Sequence, residues 1–194
     1  MNADIFSQII SRDDYIFSTY IRAQYINSVV WNKLFHYTLL KNQRFDESLI
    51  YYEDREFITR VISSAHTICY SPVQLIYYYR GNENAISKQE DNNKRMYQIY
   101  SLEKEINNIQ MLYPDKPNYY EYANACMLQF ADLRYKRARI TGCNDILTYL
   151  QPIIKTSVKQ LRKSKLLPKR EKIKRLLEHY WPWAFRVACR VIAK

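Results

Sequence analysis

Glycine is almost missing from this chain of 194 residues, which contains only Gly81 and Gly142. A phosphate-binding loop needs several glycines close together, because its backbone must approach the phosphate groups closely. Two isolated glycines therefore exclude a nucleotide-binding P-loop and a dinucleotide-binding fingerprint.

Paired cysteines and long apolar runs are also lacking. No two of the four cysteines form a Cys-x-x-Cys pair, so neither a zinc ribbon nor a thioredoxin-type site is predicted and we expect reduced thiols. No uncharged run approaches the ~20 residues that span a bilayer. The first thirty residues contain Asp4, Asp13 and Asp14 instead of an apolar signal segment. We expect a cytoplasmic protein, either soluble or peripheral at the inner face of the cell membrane.

Basic charge is concentrated at one end of the chain. Residues 1–154 contain 17 Lys and Arg against 17 Asp and Glu, whereas residues 155–194 contain 13 against 2. The whole net charge of +11 therefore comes from the C-terminal part. This distribution indicates an anionic surface as a partner of that part.

The hydrophobic pattern predicts an α+β, predominantly helical protein. Ile5, Ile9 and Ile10 have helical spacing, which predicts one or two helices ending near Asn27. A β-branched run at 28–30 predicts a short strand that joins a helix at Trp31 and Asn32.

Further helices and strands are predicted along the rest of the chain. A helix begins at Glu53, where acidic residues suit its first turn, and short strands are predicted at 66–71 and 75–80. Residues 81–92 are polar and predict a loop. Helices are then predicted across roughly 91–112, 118–141 and 145–165.

Two amphipathic pieces separated by Trp181 and Pro182 are predicted at the C-terminus. The first has an apolar stripe of Ile173, Leu176, Leu177 and Tyr180, opposite Lys169, Arg170, Lys172 and Lys174. The second repeats a basic residue every four positions, at Arg186, Arg190 and Lys194. Such helices are typical of segments that lie on a membrane surface. Packing of the apolar side onto the preceding helices is an equally good explanation.

Several motifs in residues 20–90 stand in one characteristic order. The order is Val-Trp-Asn-Lys-Leu-Phe at 30–35, Arg-Phe-Asp-Glu at 44–47, Tyr-Glu-Asp-x-x-Phe at 52–57, and Tyr-Tyr-Tyr-Arg at 77–80. This order resembles the C-terminal half of family 2 glycosyltransferases, which have the GT-A fold. A pair such as Glu53 and Asp54 alone is also explained by the helix dipole.

Six residues are candidates for the site. The resemblance implies that Asp54 stands where the family places its catalytic base, which takes the proton from the acceptor hydroxyl, and that Glu53 orients the acceptor. Asn32 and Lys33, which follow Trp31, are candidates to border the acceptor site, and a polar helix start explains them equally well. Arg80 is a candidate to meet a diphosphate or a sugar acid, and an ordinary surface arginine is an equally good explanation. The resemblance also implies transfer of a sugar from a nucleotide-sugar donor to a glycan or lipid-linked acceptor in cell-surface polysaccharide synthesis.

The donor side of the family is not found in this sequence. No Asp-x-Asp motif occurs, so the Mg²⁺ or Mn²⁺ that the family implies has no ligand motif here, and no metal-binding residue or cofactor is predicted. We expect a truncated or split glycosyltransferase whose activity needs a donor-binding half or partner subunit. The three predicted regions are a glycosyltransferase-like portion at 1–90, a helical region at 91–166 and a basic amphipathic tail at 167–194.

Two other functions remain open at this point. The first is a non-catalytic module that binds an anionic membrane through residues 169–194. The second is nucleic-acid binding, which is less favoured because the basic residues line amphipathic helices rather than a known nucleic-acid motif.

Overall fold

Helices dominate the protein, as the hydrophobic pattern predicts. A computed structural model describes residues 8–22, 29–71, 73, 76, 77, 79, 81 and 92–182. In these ranges the elements are β1 (Gln8–Ile10), α1 (Arg12–Phe17), a π-helical turn (Ser18–Arg22), α2 (Tyr37–Leu40), α3 (Glu53–Ser63), β2 (Ile68–Tyr70), α4 (Asn92–Leu112), α5 (Pro117–Thr141), α6 (Asn144–Lys163) and α7 (Lys169–Tyr180).

The long helix α5 lies at the centre of the molecule. It packs against α4 and α6 along its length and also contacts α7 and the π-helical turn. Many of its buried positions carry small side chains, which let neighbouring helices approach closely; these are Ala123, Ala125, Cys126 and Ala131. Larger buried side chains from the neighbours complete the core, among them Ile99, Leu102, Ile109 and Leu150.

Both ends of α5 follow from particular residues. Pro117 occupies the first turn, where a missing backbone N–H costs nothing. Gly142 ends the helix with a left-handed φ of 72°, and the N–H of Cys143 donates to the carbonyl of Ala138 at 3.0 Å. Glycine suits this position because it adopts positive φ without strain.

The sheet consists of β1 and β2 paired antiparallel, with Gln8 opposite Tyr70 and Ile10 opposite Ile68. The prediction of a strand at 66–71 is confirmed, whereas the helix predicted from Ile5 onward is wrong at Gln8–Ile10. Ile10 packs on the core while Ile9 is 76% exposed. This alternation has the period of a strand. All predicted strands lie within residues 28–80, so the sheet includes one segment, β1, outside the predicted range.

Residues 29–36 are neither strand nor helix, so the predicted strand-to-helix junction at Trp31 is wrong. They begin with a turn in which the N–H of Lys33 donates to the carbonyl of Val30 at 3.1 Å. The helix starts only at Tyr37 and is one turn long. Leu34 is fully exposed, so its helical spacing with Leu39 does not mark a buried face.

The strand predicted at 75–80 is not found in the part of the segment that the structure describes. Ile76, Tyr77 and Tyr79 lie outside any strand, and the other residues of that segment lie outside the described residues. In the described part of the chain, no helix combines the length and the apolar composition needed to cross a membrane.

Helix α7 confirms the first of the two predicted C-terminal pieces. Its apolar stripe is only partly covered: Leu176 packs on the core, while Ile173 is 58% exposed. The most buried residue of α7 is instead Arg175, whose guanidinium lies 3.4 Å from the carbonyl of Ile21. The second piece, with Arg186, Arg190 and Lys194, lies outside the described residues.

Candidate functional site

The turn at 29–33 is held by its own lysine. The Nζ atom of Lys33 donates to the carbonyl of Val29 at 2.7 Å and to Oδ1 of Asn32 at 2.8 Å. Val30 packs against the core, which fixes the turn to the body of the protein. Trp31 is 49% exposed, so half of its large side chain faces solvent beside these polar groups.

A second segment meets this turn at the start of α3. Glu53 and Asp54 lie half-buried in the first helical turn, where the helix dipole favours negative charge. Oδ2 of Asp54 accepts a hydrogen bond from the backbone N–H of Val30 at 3.2 Å. This contact joins two sequence motifs that are 24 residues apart.

Lys33 lies close enough to Asp54 to be affected by its charge. Burial lowers the pKa of Lys33 to about 8, and the carboxylate of Asp54 acts in the opposite direction. An ammonium group whose pKa lies near neutrality is easily deprotonated. The site therefore places a lysine with a lowered pKa beside the side chain of Asp54.

Tyr52, directly before Glu53, has a strained backbone. Its φ of 63° and ψ of 19° are left-handed, which bulky residues rarely adopt. The hydroxyl of Ser101 in α4 donates to the Tyr52 carbonyl at 2.8 Å, and Ser101 is fully buried. Strained residues persist where the surroundings hold them. Helix α4 thus helps to set how α3 begins.

A buried polar cluster lies behind the site and is formed by Arg55, Glu105, Tyr20 and Thr59. Nε of Arg55 lies 2.8 Å from one oxygen of Glu105, and the Tyr20 hydroxyl donates to the other at 2.6 Å. Burial raises the pKa of Glu105, while the charge of Arg55 and the hydrogen bonds oppose that rise. The cluster ties α3, α4 and the π-helical turn together.

The sequence analysis missed this cluster. The available signal was Glu105 itself, an acid three residues after the buried Leu102 and four before the buried Ile109. A charged residue on the apolar face of a helix is rarely buried without a partner. The partners Arg55 and Tyr20 are 50 and 85 residues away, too far for local spacing to identify them.

A second polar cluster holds residues 43–45 on the outer side of α3. Arg60 donates to both oxygens of Glu56, to the side chain of Gln43 and to the carbonyl of Arg44. Phe45 stacks on Phe57 with ring centroids 4.2 Å apart. Arg44 and Phe45, the first two residues of the Arg-Phe-Asp-Glu motif, thus pack against α3.

The structure brings together five of the six predicted site residues. Trp31, Asn32 and Lys33 are consecutive in the turn, and Glu53 and Asp54 open the helix that this turn contacts. The sixth, Arg80, lies outside the described residues.

The divalent metal that the resemblance implies would need a group of acidic, histidine or cysteine ligands. No group of three or more His, Cys, Asp or Glu side chains able to hold a metal occurs in the described ranges. Asp54 accepts a hydrogen bond from the backbone N–H of Val30 and lies near Lys33. Of the three histidines, His179 is paired with Asp132 at 2.8 Å, while His36 and His66 are exposed.

Comparison of the chain with protein-family models, with curated proteins and with solved structures gives no significant match.

Proposed function

We propose that this chain is the acceptor side of a glycosyltransferase of the family 2 kind, and that Asp54 is its general base. The observation that supports the proposal is the hydrogen bond from Val30 to Asp54. It joins the Trp-Asn-Lys turn and the Glu-Asp helix start, two of the four motifs on which the resemblance depends. The proposal includes the GT-A-like character of the N-terminal region.

The proposed reaction is a direct displacement. A hydroxyl oxygen of the acceptor attacks the anomeric carbon of the sugar and forms the new C–O bond. Its proton passes to the carboxylate of Asp54, and the bond from the anomeric carbon to the diphosphate breaks, with the electron pair leaving on the diphosphate. Positioned carboxylates contribute such general-base assistance in many enzymes.

The other residues of the site would hold the acceptor. Trp31 offers a partly exposed ring for the apolar face of a sugar. Asn32 and Glu53 offer polar groups for its hydroxyls, and Lys33 would counter negative charge that develops at the attacking oxygen. The sugar nucleotide would be held by a donor-binding half, because these 194 residues contain no Asp-x-Asp motif.

The test of this proposal is a fusion of the full chain to the donor-binding half of a family 2 enzyme. Glycosyl transfer is followed by release of the nucleotide diphosphate across a panel of acceptors. We expect transfer in the fused protein and its loss in Asp54→Asn. Asp46→Asn is the matched control, since Asp46 is an acid paired with Lys104 away from the Trp-Asn-Lys turn. Equal loss in both variants would contradict the proposal.

A second candidate function is binding of an anionic membrane through α7 and the residues beside it. Four large apolar side chains are exposed there: Leu166, Ile173, Tyr180 and Trp181 are 42% to 58% exposed. Lys165, Lys169 and Arg170 are exposed in the same stretch. Basic residues beside exposed aromatic and aliphatic side chains favour the interface of an anionic bilayer.

A further inference from the structure

A groove of about 480 Å³ lies between α4, α5 and α6. Its volume is in the range of small-molecule sites. Its floor is the protein core, since Met127 is buried and Ile106 and Ile153 pack against the core. Its polar lining consists of Glu103, Asn107, Asn124, Thr156, Ser157 and Gln160.

The polar groups of this groove include both donors and acceptors. Nε2 of Gln160 donates to the Tyr120 hydroxyl at 2.8 Å, so the proton of that hydroxyl remains able to donate to a ligand. Oε1 of Gln160 is buried and has no hydrogen-bond partner among the described residues. A buried acceptor without a partner is costly, and a ligand hydroxyl would satisfy it after a small rotation of the amide.

Among the described residues, Glu103 is the one charged residue that lines the groove. Its Oε2 accepts from the Tyr149 hydroxyl at 2.8 Å, and burial raises its pKa. A chain with a net charge of +11 therefore has a groove without basic residues, which disfavours phosphates and nucleic acids. Amides, hydroxyls and one carboxyl above an apolar floor instead suit a neutral molecule with many hydroxyl groups.

A row of tyrosines continues from the groove across the surface. Tyr149, Tyr100, Tyr97 and Tyr51 meet edge to face, with successive ring centroids 5.7, 5.7 and 5.6 Å apart. Tyr100 and Tyr149 are 37% and 38% exposed. Tyrosine combines an apolar ring with a polar hydroxyl, which matches the alternating apolar and hydroxyl faces of sugars.

We propose that the groove and this tyrosine row bind a neutral oligosaccharide. The groove holds one end through its amides and Glu103, and the chain continues over Tyr149 and Tyr100. The row ends at Tyr51, three residues before Asp54, so the oligosaccharide extends toward the proposed acceptor site. Only this last step rests on the proposed function, because the groove itself is formed by α4, α5 and α6.

The test is binding of neutral oligosaccharides to the full chain. A glycan array selects probes, and maltohexaose, cellohexaose and N-acetylchitohexaose are then titrated by calorimetry. NMR locates the site, and we expect the side-chain amides of Asn124 and Gln160 to shift. Asn107→Trp fills the groove from an exposed position and should lower the affinity more than tenfold. Tyr100→Ala should lower it about two- to tenfold, the worth of one aromatic contact.

Two controls separate the outcomes. Tyr37→Ala removes an exposed tyrosine of α2 and should leave binding unchanged. Binding is measured on the full chain without a donor-binding half, so intact glycan binding together with no transfer in the fused protein would contradict only the proposed function. Four outcomes would each overturn the oligosaccharide site. The first two are no glycan binding at all and an affinity of Asn107→Trp equal to that of the unchanged chain. The other two are NMR shifts confined to residues outside the groove and preferred binding of single-stranded DNA or of a peptide.

Discussion

The pKa of Lys33 depends on the charge of Asp54. This pKa is lowered by burial to about 8 from the ordinary value of 10.5, while Asp54 acts to raise it. Between these pH values the unfolded chain binds more protons than the folded one. This residue therefore makes the free energy of unfolding increase as the pH rises from about 8 to 10.5.

We predict that the Cε resonance of Lys33 titrates near pH 8, and below that value in Asp54→Asn. The reason is that the substitution removes the negative charge that opposes the effect of burial. NMR of ¹³C-labelled lysine measures both midpoints, with Asp46→Asn as the control that leaves Lys33 unchanged. An identical Lys33 midpoint in Asp54→Asn would show that the two side chains are not neighbours.

The motif order selects candidate site residues, but not the contacts that support them. Trp31, Asn32, Lys33, Glu53 and Asp54 were selected from motif order. The strained backbone of Tyr52 and its hydrogen bond from Ser101 were not, because a tyrosine before an acidic helix start gives no sign of positive φ. Such conformations depend on tertiary contacts rather than on local propensity.

Helix α4 supports α3 through one buried hydroxyl. Ser101→Ala removes the donor to the Tyr52 carbonyl and a contact with Glu105. Leaving a buried acceptor without its partner typically costs about 1–3 kcal/mol. We therefore predict that Ser101→Ala lowers the free energy of unfolding by that amount in urea titrations followed by circular dichroism. Ser63→Ala, which loses a bond within α3, should change it by less than about 0.5 kcal/mol. Equal effects would argue against a special role for Ser101.

Membrane binding through α7 can be tested with lipid vesicles. We predict that the full chain co-sediments with phosphatidylglycerol vesicles and not with phosphatidylcholine vesicles. Each basic residue near an anionic surface contributes about 1 kcal/mol, so reversing Lys169 and Arg170 to Glu should weaken binding about tenfold or more. Binding should also weaken in high salt, because screening shortens the range of the attraction.

The matched control reverses Lys136 and Arg139, which are exposed on α5. Both double variants change the net charge equally. If α7 is a specific binding surface, only the α7 variant should lose vesicle binding. Equal loss in both would mean that net charge alone decides the binding. Absence of binding to phosphatidylglycerol at low salt would remove this candidate function.

Helices were predictable where their apolar positions repeat over many turns. Helices α4, α5 and α6 have such repeats, and α3 also has an acidic first turn. Strand β1 was not predictable, because its partner β2 is almost 60 residues away and its three residues fit a helix equally well. For α7, the side of the helix that is buried was hardest to predict, because Arg175 rather than Ile173 is buried in the protein.

In our proposal, the helical scaffold of the whole molecule holds a chemical site at the start of α3, and each part has a separate test. The buried contacts between Arg55, Glu105 and Tyr20 connect the start of α3 to the scaffold. The excess basic charge lies at the opposite end of the sequence, after residue 154. Acceptor chemistry and surface attraction are therefore assigned to different elements.

The most direct test of the central claim is the turnover of the fused enzyme with Asp54→Asn, resolved into kcat and acceptor KM. General-base assistance is typically worth about 10²–10⁴-fold, so we predict that kcat falls by that factor. Acceptor KM should stay within about threefold, because an interaction made only in the transition state does not change ground-state binding. A near-normal kcat, or a change confined to KM, would contradict the assignment of Asp54 as the base.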